Sequence, residues 1–94
     1  MKEIKRLYLA YKNASVVSDM QERMLEIALD KDDEHIDWIQ VDHLTEEFDK
    51  TYKYCFRCLT LLIAAVQKYT GIDEKTVRKM VHTKEFENLV NRIA

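Results

Sequence analysis

Proline is absent from the 94 residues, and glycine occurs once, at Gly71. A chain so poor in breakers, and rich in Leu, Ile, Met, Ala, Lys and Glu, can run long helices joined by few turns. Sustained alternation of apolar and polar residues is also missing, which removes the signal for strands. The longest uncharged run, Cys58 to Gln67, is about half of the roughly 20 residues that a bilayer span needs. At the start, MKEIKRLYLAYKNAS is basic, but charges interrupt every apolar stretch, so it does not read as a signal peptide. The expectation is one cytoplasmic helical domain over residues 1–94, without a membrane span and just large enough for one hydrophobic core.

A net charge of −2 conceals a strong segregation. Residues 1–18 carry +3, residues 19–49 carry −10 and residues 50–94 carry +5. The middle repels phosphate, whereas the C-terminal part can attract it. Acidic and basic helix faces can equally attract each other within a bundle or a dimer.

Ile4, Leu7, Tyr11, Ala14, Val17, Met20, Met24 and Ile27 follow one another at helical spacing and predict an apolar stripe over residues 2–30. Val16 and Val17 are β-branched, and Ser18 with Gln21 can form a capping box, so this region reads as one long helix or two shorter ones. DKDDEHID, residues 30–37, interrupts it, with Asp32 or Asp33 as the expected N-cap. Its acids and His35 lack the ordered spacing of a cation site and suit a solvated helix start. The next helix is expected over about 34–69, amphipathic in its first half and apolar nearly all round in its second. Gly71 suits the left-handed position that ends it, and Asp73 caps a short helix over about 74–82. Thr83 caps a last helix that buries Phe86, Leu89, Val90 and Ile93.

CFRC places Cys55 and Cys58 at the spacing of a metal or redox pair. A structural zinc site needs about four ligands, yet no second pair is present, and His35, His43 and His82 are scattered. A redox pair works at a helix N-terminus, whereas these cysteines fall mid-helix on apolar stripes. They read as core residues and as reduced thiols, with no metal or other cofactor implied.

TGIDEKTVRKM, residues 70–80, resembles the second half of a helix-turn-helix, with Gly71 in the turn, Asp73 as cap, and Lys75, Arg78 and Lys79 outward for phosphates or base edges. Over residues 70–82 this is one alternative function, DNA binding. Gln67 departs from the pattern, because the motif wants a small residue there. Arg78 and His82 resemble the Arg…His pair of some helical ribonucleases and supply a second alternative, set against a plain surface pair at i, i+4.

The central helix carries a further resemblance. Phe48-Asp49-Lys50-Thr51-Tyr52-Lys53-Tyr54-Cys55-Phe56-Arg57-Cys58-Leu59 is similar to the F-E-x-T-[FY]-E-x-[AC]-W-K-x-L signature of the nucleotidyltransferase substrate-binding family, small helical bundles related to HEPN domains. Phe48, Thr51, Tyr52, Cys55 and Leu59 fit, Asp49, Phe56 and Arg57 are close replacements, and Lys53 stands where the family has an acid. The likeness spans about residues 44–82 and lacks the family's closing Arg-Asn…His segment. It implies a bundle that binds a partner protein, a nucleotidyltransferase among the candidates, with Tyr52, Phe56 and Arg57 at the contact.

The expected architecture is therefore an all-α four-helix bundle around the long central helix, with two short C-terminal helices. Covering an all-round apolar helix with so few partners predicts a homodimer or hetero-complex, buried along residues 52–66 and part of the N-terminal stripe. No nucleophile with its base and no Gly-rich phosphate loop stands out, so the expected function is a non-enzymatic interaction module.

Overall fold

The absence of breakers is realised as helix nearly throughout. The computed structural model describes residues 2–93, in the order α1 (Lys2–Leu29), a 3-10 turn (Asp33–His35), α2 (Trp38–Thr70), α3 (Glu74–Met80) and α4 (Lys84–Ile93). No strand occurs among the described residues.

The N-terminal region is one helix. It runs 28 residues through Val16, Val17 and Ser18, because β-branched residues cost a helix only about a few tenths of a kcal/mol each and nothing here breaks it outright. The expected cap at Asp32 or Asp33 is corrected by the structure. Asp32 precedes the 3-10 turn without a side-chain cap bond. Asp37 is the residue whose carboxylate accepts from the Ile39 and Gln40 amides, at 3.1 and 3.2 Å, so α2 begins at Trp38 rather than near residue 34. At the other end Gly71 takes φ 76°, and its amide donates to the Gln67 carbonyl at 2.8 Å. Asp73 and Thr83 then cap α3 and α4 as expected, through the Thr76 and Phe86 amides, and α3 ends at Met80.

Helices α1 and α2 form a long antiparallel hairpin that sets the molecular length, 54 Å against about 20 Å across. Its open end is capped by α3, which leans on α2, and by α4, which leans on α1. The core therefore sits at that end: Ile4, Tyr8, Leu62, Val66, Val77 and Phe86 belong to one buried cluster. Towards the turn, only Ala14, Ala28 and Val41 are buried among the described residues.

That asymmetry corrects the expected α1 stripe. Its first half holds, since Ile4, Tyr11 and Ala14 are buried and Leu7 packs against the core. Beyond Ala14 the packed line passes instead through Ser18, Gln21, Leu25 and Ala28, while Val17, Met20, Met24 and Ile27 are exposed. Helix α2 is likewise covered on one side only, with Tyr52, Tyr54, Phe56, Leu61 and Tyr69 open to solvent.

Candidate docking surfaces

With α3 and α4 covering the open end alone, the rest of the hairpin presents two bare flanks. On the flank continuous with the α3–α4 cap, a groove of about 330 Å³ runs between α1 and α2. Helix α2 supplies its aromatic wall through Phe48, Tyr52 and Phe56, spaced four apart so that they fall on one side of the helix. Phe48 and Tyr52 stack with centroids 6.2 Å apart. Cys55 and Leu59 line the same groove, and α1 contributes Ser15, Ser18 and the acids Asp19 and Glu22. Tyr11 closes the end nearest the cap, where its hydroxyl lies 3.5 Å from His82 Nδ1.

Burial pushes the Tyr11 phenol above its usual range, with smaller contributions from Cys55 and Asp19. Burial also raises the Cys55 thiol, helped by Cys58 and Asp19. A reactive or metal-binding cysteine needs the opposite shift, because the thiolate is its working form. Cys58 is 5% exposed inside the core, and both thiols are free. The reading of CFRC as packing residues thus agrees with where the pair lies. Among the described residues, no three or more His, Cys, Asp or Glu side chains form a group able to hold a metal ion.

Of the three contact residues implied by the family resemblance, Tyr52 and Phe56 come together on the groove, 57% and 55% exposed. Arg57 is exposed but does not line it. Lys75, Arg78 and Lys79 are exposed on the seven-residue α3, and Glu74 Oε1 accepts from Arg78 Nε and Nη2 at 3.0 and 2.8 Å. Arg78 and His82 thus have different partners, Glu74 on α3 and Tyr11 on α1. No described helix is long and apolar enough to cross a membrane.

The opposite flank carries the second half of the expected α1 stripe, which α2 leaves uncovered. There an open groove of about 390 Å³ is lined by Ala10, Asn13, Val17, Lys50 and Tyr54, and Met20, Met24 and Ile27 continue the same side of α1. The helical spacing of these residues was legible, but their common exposure depends on which of two neighbouring stripes α2 selects.

Comparison with family models, curated proteins and solved structures yields no match.

Proposed function

We infer that the chain is a non-enzymatic cytoplasmic docking module whose aromatic groove receives an amphipathic helix of a partner protein. The observation that carries this reading is the groove of Phe48, Tyr52 and Phe56, apolar along its floor and acidic on its α1 side at Asp19 and Glu22. An isolated exposed apolar residue means little, but a connected row along a helix pair invites burial. Helix-in-groove recognition uses apolar anchors at i, i+3, i+4 and i+7, and an acidic rim favours Lys or Arg beside those anchors. A docked helix continues the layer that α3 and α4 begin, extending a four-helix arrangement from the open end toward the turn.

The likeness of residues 48–59 to the nucleotidyltransferase substrate-binding signature makes nucleotidyltransferases of the same host the first partners to test. Co-expression and co-purification should recover such a complex with the wild-type chain. Tyr52→Asp combined with Phe56→Asp should abolish it at unchanged helicity, since both side chains are already exposed. Undiminished recovery with the double variant overturns the groove as the docking site.

A further inference from the structure

The flank opposite the aromatic groove supports a separate conclusion, resting on the docking-module reading but naming a different occupant. We propose that this flank pairs with a second copy of the chain in antiparallel fashion, α1 against α1, the turn end of each hairpin beside the open end of the other.

Leu9, Val16, Val17, Met20, Met24 and Ile27 are all exposed large hydrophobics of α1. The line Leu9, Asn13, Val16, Met20, Arg23, Ile27 repeats at alternating steps of four and three, the spacing of a helix-pairing seam. This seam is symmetric about its midpoint. Reversed against itself, it sets Leu9 opposite Ile27 of the second copy, Val16 opposite Met20, and the polar Asn13 opposite Arg23. On the edge of this surface, Asn13 and Val17 share a groove with the exposed Tyr54 of α2.

Charge selects this arrangement over its parallel counterpart. The turn end belongs to residues 19–49, which carry −10, whereas residues 1–18 and 50–94 carry +3 and +5. Parallel copies would place the two acidic ends together. Antiparallel copies set Arg6 level with Asp30 of the second copy and Lys12 beside its Glu26. The paired stretch from Arg6 to Asp30 runs about 36 Å along α1 at about 1.5 Å per residue, enough for an interface at the small end of the specific range. The side chains involved are not needed for the monomer's own packing, so removing them should cost association and spare folding.

Sedimentation of the full chain at about 100 μM, above the micromolar Kd that an interface of this size reaches, should show a dimer that weakens as salt rises. Met20→Glu combined with Met24→Glu should give a monomer with unchanged helicity and melting. Mixing Leu9→Cys chains with Ile27→Cys chains under mild oxidation should link the two variants to each other, as read by peptide mapping, while neither links to itself. A wild-type monomer overturns the proposal, as does a dimer that survives the double Glu substitution or one that links Ile27→Cys chains to each other. Partner capture through Tyr52 and Phe56 is read on the other flank, so a monomer that still binds its partner removes the dimer and leaves the docking reading in place.

Discussion

The rings of Tyr8 and Phe86 meet with centroids 5.6 Å apart and planes tilted by 51°, and this contact ties α4 onto α1. Phe86 is completely buried. Phe86→Ala should therefore cost about 3–5 kcal/mol, a large share of the roughly 5–15 kcal/mol that holds a domain together. Tyr11→Phe should cost less than about 1 kcal/mol, because a 3.5 Å contact with His82 lies at the outer limit of hydrogen-bond geometry. Urea unfolding of the two variants checks the contrast. Equal losses would mean that α4 is not anchored through Phe86.

Asp73 makes the α3 cap sensitive to acid. The Thr76 hydroxyl donates to its carboxylate at 2.6 Å, and this bond, ahead of the backbone amides, holds the carboxyl below its ordinary range. A depressed folded value means that the contribution is complete above the unfolded value of about 3.9 and fades as pH falls through the lower folded one. A carbon-detected titration should show Asp73 protonating below the ordinary aspartate value, and α3 amides should broaden in the same range. Thr76→Val should move Asp73 back toward its ordinary value; an unmoved titration would show that the hydroxyl is not the cause.

The two thiols should differ in accessibility. Cys58 lies in the core and Cys55 at its edge, with the Cys55 thiol pushed upward by burial. A thiol reagent at neutral pH should modify Cys55 slowly and leave Cys58 untouched until the chain unfolds. Rapid labelling of both in the folded state would place them outside the core. A rise in melting temperature on adding zinc would restore the metal reading.

A docking module should ignore duplex DNA. Helix α3 is short, and Arg78 is already engaged by Glu74 through two donors. No mobility shift is expected even at low salt, where phosphate contacts are strongest. A shift that disappears when Lys75, Arg78 and Lys79 become Ala would transfer the function to nucleic acid.

Element type was legible because the turns flanking α3 carry local chemical causes. Gly71 accepts a left-handed backbone, and Asp73 and Thr83 offer side-chain oxygens to the following helix. The start of α2 was misplaced because five acids precede it, and composition alone does not say which carboxylate turns toward the amides; Asp37 does. The α1 face was misread beyond Ala14 because two adjacent stripes share helical spacing. The more apolar one, with Met20 and Met24, is left outside, while α2 packs on the line through Ser18, Gln21 and Leu25. Tyr52 and Phe56 were singled out by resemblance to a signature, and their position on a groove required the hairpin to be built.

The choice of packed face leaves a polar atom buried on the packed line of α1. Gln21 Oε1 is buried without a hydrogen-bond partner among the described residues. An unmet acceptor costs about 1–3 kcal/mol relative to one that is satisfied or absent. Methionine has nearly the same length and shape, favours helix and removes the acceptor. Gln21→Met should therefore raise stability by about 1–2 kcal/mol, or several degrees in Tm for a chain of this size. Gln21→Glu should do the reverse, because it adds a charge where the neutral amide is already poorly solvated. Thermal unfolding of both variants decides the matter. If Gln21→Met melts lower than the wild type, the oxygen has a partner in solution, and the line through Ser18, Gln21 and Leu25 is wetter than its burial indicates.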